Sequence, residues 1–224
     1  MEFRAASDQA VLVYLGEEIG LASHERVRRL LRLLQEEPIP WVRNLQPAYC
    51  SLLVEFDSCQ VDHREAEAML RRYEQRTEKM ALPEPRTVEI PVCYGGEFGP
   101  DLDELPATHK LSPSRVIELH TSRTYRAYFL GFAPGFAYLG DVAPELATPR
   151  LATPRKKVAA GSVGIVGAQT AVYPFATPGG WRLIGRTPLE MFRKDREPMA
   201  LISMGDEVRF RAITREEYAL WPTP

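Results

Sequence analysis

Long apolar runs are missing from this chain, and so are the short motifs that would name a metal or a cofactor. No stretch of the 224 residues reaches the length a membrane helix needs, and the opening MEFRAASDQA lacks the pattern of a secretory signal. The expectation is a cytoplasmic protein with no membrane partner. Cysteine is scarce. Cys50, Cys59 and Cys93 are odd in number and scattered, which argues for a reducing compartment and against a disulfide framework. Four histidines without a CxxC or HExxH leave little to build a zinc site, and no metal site is expected. A basic excess is absent too: 28 Lys and Arg against 30 Asp and Glu give a net charge of -2, unlike the footprint of a nucleic-acid binder. Asparagine occurs once, at Asn44, and lysine 5 times against 23 arginines. Scarce amide with 19 prolines fits a heat-adapted source. A GC-rich genome explains the arginine equally well.

What is present is enough chain for one large or two small cores. QAVLVYL (9–15) reads as a buried strand, and Ser23 as the N-cap of a helix to Glu36 with Val27, Leu30, Leu31 and Leu34 on one face. Two strands follow, at 41–45 and 51–56. Asp62 and Glu65 form a capping box for a helix to Lys79. The order βαββα implies helices laid on a small sheet. ALPEPR (81–86) is the best boundary, giving an α+β domain over residues 1–83 and a second domain over 84–224.

The second domain opens with a strand at 87–93. Ser112 caps a helix that has Pro113 at its first position and His120 near its end. From Tyr125 to Pro188, glycine and proline punctuate short β-branched and aromatic runs, the pattern of a barrel or sandwich with tight loops. Pro188 to Phe192 reads as one helical turn. GSVGIVG (161–167) lacks the lysine and Ser/Thr of a phosphate loop, so a strand and turn is the reading. Lys156 and Lys157 follow two TPR tripeptides, which hold them in an extended loop as an anion clamp or a solvated face. TPGGWRLIGR (177–186) alternates Arg182, Ile184 and Arg186 on one strand face, and Gly179 and Gly180 allow close backbone approach. Arg186 is either a ligand-binding cation or a rim arginine paired with a carboxylate such as Asp206. Phe132, Phe136 and Tyr138 in FLGFAPGFAYLG line a pocket or fill the core. His120 is a general acid or base, or a helix-terminal imidazolium held by the dipole. Cys93 reads as a buried thiol.

Four blocks together, FLGFAPGFAYLG, TPRKK, AAGSVGIVGAQTAVYP and TPGGWRLIGRTP, with IPVCYGGEFGPDL upstream, resemble the family of the 5-oxoprolinase B subunit. The family is also called allophanate hydrolase subunit 1, or the KipI kinase-inhibitor family. The resemblance spans roughly residues 5–215 and implies a cyclophilin-like β-barrel after the small α+β domain. It implies one component of an ATP-dependent 5-oxoprolinase, opening 5-oxo-L-proline to L-glutamate. The expected partners are a second, related barrel protein (the 5-oxoprolinase C subunit, KipA-like) and a third 5-oxoprolinase component. ATP, with Mg, belongs to the assembled complex, and no cofactor is evident in this chain alone. Two other roles are known in the family: inhibition of a sensor histidine kinase, and a detached half of the carboxyltransferase module of urea carboxylase. Where the family pattern has GFPYL, PAGS and QTG, this chain has GFAYL (135–139), AAGS (159–162) and QTA (169–171). The candidate catalytic residues are His120, Lys156 and Arg186. The candidate substrate-binding residues are Gln169, Thr170, Gly179, Gly180 and Arg182.

Overall fold

Alternating apolar residues set the first sheet. Val11 and Val13 of one strand, and Leu52, Val54 and Phe56 of its neighbour, are buried, while Leu12, Leu53 and Glu55 between them are half-exposed. That is the period-two pattern of a sheet covered on one face. The computed structural model describes residues 1–105 and 111–222, and the chain divides into two compact units, Met1–Glu84 and Pro85–Pro224.

In the first unit, β1 (Glu2–Ser7), β2 (Ala10–Tyr14), β3 (Val42–Pro47) and β4 (Ser51–Phe56) form a sheet in the order β1-β2-β4-β3. Helix α1 (Leu21–Glu36) packs on β3 and β4, α2 (His63–Arg71) on β2, and α3 (Glu74–Lys79) on α1. The order βαββα is therefore extended at both ends. Glu2–Ser7 is almost wholly exposed and carries no apolar alternation, so its pairing with β2 leaves no trace in composition. The helix expected to reach Lys79 breaks after Arg71 and restarts at Glu74. Helix α1 begins two residues before Ser23, with Gly20 as its N-cap. The Asp62–Glu65 capping box is formed in both directions, at 2.9 and 3.0 Å, and such a cap is worth about 1 kcal/mol.

The second unit is a closed barrel. Its strands are β5 (Thr87–Tyr94), β6 (Thr124–Leu130), β7 (Ala137–Gly140), β9 (Ser162–Val166), β10 (Gln169–Val172), β12 (Arg182–Arg186) and β13 (Glu207–Ile213), in the order β10-β7-β6-β13-β5-β12-β9. β5 and β13 are parallel, and closure leaves the barrel no free edge. Ile90, Tyr125, Leu139, Ile165, Ile184 and Phe210 belong to its enclosed core. Two short strands, β8 (Arg155–Val158) and β11 (Thr177–Gly179), form a separate ribbon. Helix α4 (Pro113–Thr121) packs on β13, capped by Ser112, whose hydroxyl accepts from Arg115 N at 3.2 Å. Helix α5 (Arg215–Ala219) packs on β5.

Three local expectations change. Lys156 and Lys157 lie in β8, not in a loop: Val158 and Arg155 pair with Thr177 and Gly179. Residues 188–192 form no helical turn, because Leu201 N donates to Met191 O and Phe192 bridges Ala200. In β12 a register shift between Leu183 and Gly185 interrupts the alternation that would have put Arg182 and Arg186 on one face. Among the described residues no helix is long and apolar enough to cross a membrane.

Candidate functional site

The aromatic residues of 132–138 do not enter the barrel core. Phe136, Tyr173, Trp181 and Leu183 form a second apolar cluster with Ala171. It is distinct from the core because these positions alternate with the inward ones: Ala171 belongs to it, whereas Val172 belongs to the barrel interior. Phe136 is at its centre. Its ring meets Tyr138, Tyr173 and Trp181 edge-on, with centroids 5.1, 5.4 and 5.5 Å away, a favoured geometry for aromatic pairs.

These rings wall a small hollow of about 140 Å³, completed by Phe132, Arg150 and the backbone of 178–180. Phe132 sits at its rim. It is 63 % exposed and has φ 67°, a left-handed conformation rare for a bulky side chain. A strained, exposed aromatic at a concavity is the kind of residue that function retains against stability. Burial pushes the Tyr138 and Tyr173 hydroxyls up, so both stay protonated, while the Arg150 cation acts on both in the opposite sense. No described carboxylate pairs with Arg150. A larger hollow of about 400 Å³ in the first unit is lined by Arg43 and Glu55, but Arg43 is already paired with Asp57. The aromatic hollow is therefore the better candidate.

Gly179 and Gly180 do line it, although the first is small for an internal reason. A Cβ on Gly179 would lie 2.4 Å from Tyr173 Oη, so the glycine makes room for the tyrosine. A Cβ on Gly180 would meet nothing closer than Pro154 at 3.6 Å.

Two candidate residues are joined by hydrogen bonds. His120, wholly buried, has Nδ1 2.7 Å from Tyr94 Oη and Nε2 3.0 Å from Thr170 Oγ1. Thr170 donates onward to Gly164 O at 3.0 Å, and Tyr125 Oη donates to His120 O at 2.8 Å. Burial pushes the imidazole down to about 3. His120 is thus neutral inside the barrel, not the imidazolium that a helix terminus favours.

The remaining candidates are spread over the barrel and the β8–β11 ribbon. Lys156 is exposed in β8 beside Arg155, whose strand partner is Gly179. Gln169 opens β10, opposite Gly140 and Val166. Arg182 binds Glu104 at 2.8 Å. Arg186 is half-buried, with its guanidinium 5.8 Å from the Phe98 ring centroid and its buried Nε unpartnered. No described carboxylate pairs with it. Asp206, the partner considered from sequence, is taken by Arg86 at 2.5 Å. Asp101 is buried and accepts from Arg155 Nη2 and Leu183 N, both at 2.6 Å, so it fastens β8 to β12. Cys93 is buried, and its thiol is pushed up by that burial. Among the described residues no group of His, Cys, Asp and Glu gathers that could hold a metal ion.

Sequence reasoning passed over Arg150 and Tyr173. The available signal was the first of the two TPR tripeptides, whose arginine was given no role, and the tyrosine that ends the QTAVY run.

Comparison with known proteins places this architecture. The family described as carboxyltransferase domain, subdomain C and D, matches residues 1–202. A 5-oxoprolinase B subunit from Bacillus subtilis is 43% identical over 221 residues, covering 94% of this chain and 92% of its own. One from Escherichia coli O157:H7 is 45% identical over 208 residues, covering 91% and 92%. The crystal structure of TTHA0988 superposes with a TM-score of 0.81 at 33% identity over 97% of this chain, which spans 41% of that longer protein. The chain belongs to the carboxyltransferase subdomain C and D family, and within it to the 5-oxoprolinase B subunits.

Proposed function

We propose that this chain is the B subunit of an ATP-dependent 5-oxoprolinase, working in the cytoplasm with a second, related barrel protein and a third component to open 5-oxo-L-proline to L-glutamate. The observation that carries this is the extent of the match to proteins of that name, which runs through nearly the whole of each chain. The chemical problem is that a lactam carbonyl is a poor electrophile. ATP, with Mg, would supply in the assembled complex a phosphoryl group for the lactam oxygen, which would make the carbonyl carbon open to attack by water.

The chain's own residues divide into groups. Arg186 is the cation best placed to meet phosphoryl or carboxylate charge, since its Nε is buried without a partner. Lys156 is exposed in β8 and available as a second point charge. Arg182 is already engaged by Glu104, so it serves the site by holding β12 in place. His120 and Thr170, spent on each other and enclosed, position β10, which opens with Gln169.

The test is an assay on the purified chain, alone and then mixed with the products of neighbouring genes, following ADP and glutamate. Turnover is expected only on mixing, and Arg186→Ala is expected to lower both products together. A stable mixture of folded proteins with no turnover would transfer the case to carboxyl transfer, the reaction in the family's own name. Binding of a histidine kinase by this chain alone, again without turnover, would instead make it an inhibitor.

A further inference from the structure

The composition of the aromatic hollow narrows what it can hold. Its walls are rings, its lining includes one charged side chain, Arg150, and no carboxylate lines it. Aromatic walls alone also suit ammonium ligands, but an arginine at the rim repels a cation. At about 140 Å³ it lies well under the ~300–1,000 Å³ usual for drug-sized ligands, which favours a small ligand over a whole nucleotide. What remains is a compact ring bearing one anionic group.

The two rim residues suit such a ligand. Arg150 is exposed and without a described carboxylate partner, so its guanidinium fork is free to take a carboxylate through two parallel hydrogen bonds. The neighbouring phenols of Tyr138 and Tyr173 stay protonated and so do not oppose an anion. Phe132 holds its ring beside Phe136 and Tyr173, at 5.2 and 6.4 Å between centroids, on a left-handed backbone of the kind that clusters at functional sites.

We propose that this hollow seats the ring of 5-oxo-L-proline, with its carboxylate held by Arg150 and Phe132 closing over the ring from the rim. The proposal rests on the 5-oxoprolinase reading for the identity of the ring.

Kinetics of the reconstituted complex test it. Arg150→Gln removes an exposed side chain and is expected to raise KM for 5-oxo-L-proline about ten-fold or more, the effect of losing a charge-assisted contact. KM for ATP should stay unchanged, and Arg150→Lys should recover part of the loss. Phe132→Ala should raise the same KM. 2-Pyrrolidinone, which lacks the carboxylate, should compete equally well in wild type and Arg150→Gln. An unchanged KM for 5-oxo-L-proline in both Arg150→Gln and Phe132→Ala would overturn the proposal and leave the enzyme standing. If the wild-type mixture does not turn over at all, the enzyme reading falls first. The hollow is then judged by saturation-transfer NMR of 5-oxo-L-proline on the full chain. Transfer that Arg150→Gln abolishes supports the seat, and no transfer to wild type overturns it.

Discussion

His120 Nε2 lies 3.0 Å from the hydroxyl of Thr170, and the far end of that contact fixes the imidazole's tautomer. Thr170 gives its one proton to the Gly164 carbonyl, so Nε2 must carry a hydrogen and donate. Nδ1 is then the acceptor for the Tyr94 hydroxyl. The chain of donors ties α4 to β5, β10 and β9 through the barrel interior, with every polar group satisfied only while the ring is neutral.

Acid sensitivity follows. The folded His120 titrates at about 3, against 6.5 for the free group. Its contribution to stability is complete above 6.5 and is lost as pH falls towards about 3, because the unfolded chain takes the proton first. The slope is about 1.4 kcal/mol per pH unit in that window. Melting temperatures measured between pH 7 and pH 4 should fall less steeply for His120→Gln than for wild type. Equal slopes would show that another group controls the acid limb.

Asp101 should be a structural anchor. It is buried and holds Arg155 and the Leu183 amide at once. Asp101→Ala leaves both donors without their acceptor, and breaking a buried pair of this kind costs about 3 kcal/mol or more. Urea unfolding is the measurement, and an unshifted midpoint would count against the anchor.

The two pocket glycines should differ. Gly179→Ala forces a Cβ against Tyr173 Oη and is expected to destabilise by about 1–3 kcal/mol while closing the hollow. Gly180→Ala has space and should be nearly silent. Thermal melts of the two variants decide this, and equal losses would mean that both sites carry the same constraint.

Phe132 should show a trade between stability and function. Its left-handed backbone costs about 1–2 kcal/mol in a non-glycine residue, and its side chain is mostly exposed. Phe132→Gly is therefore expected to melt no lower than wild type, yet to lower turnover in the complex. A variant that is less stable and fully active would reverse the assignment.

The strand pattern of the second unit was legible because apolar alternation and turn residues are local. The strand read at 87–93 matches β5 closely, and the strand read within 177–186 contains β12. The capping box at Asp62 and the Ser112–Pro113 helix start were legible for the same reason. Strand β1 and the β8–β11 ribbon were not, since exposed or very short strands are specified by their partners and carry no period of their own.

The candidate site divides along the same line. Residue types and spacing singled out Phe132, Phe136 and Tyr138, Gly179 and Gly180, and Arg186, and the four sequence blocks pointed to the family. Whether an aromatic faces the barrel or its outer surface depends on register. One residue's difference sends Ala171 outward to the aromatic cluster and Val172 inward to the core. Partner choice was likewise settled by distant chain: Asp206 went to Arg86, Glu104 to Arg182, and Arg150 was left uncommitted beside the rings. Local pattern was enough for the strands with apolar alternation and for the family they compose. Only the tertiary structure decided which side chains meet, because closing the barrel brings together residues that are far apart in the chain.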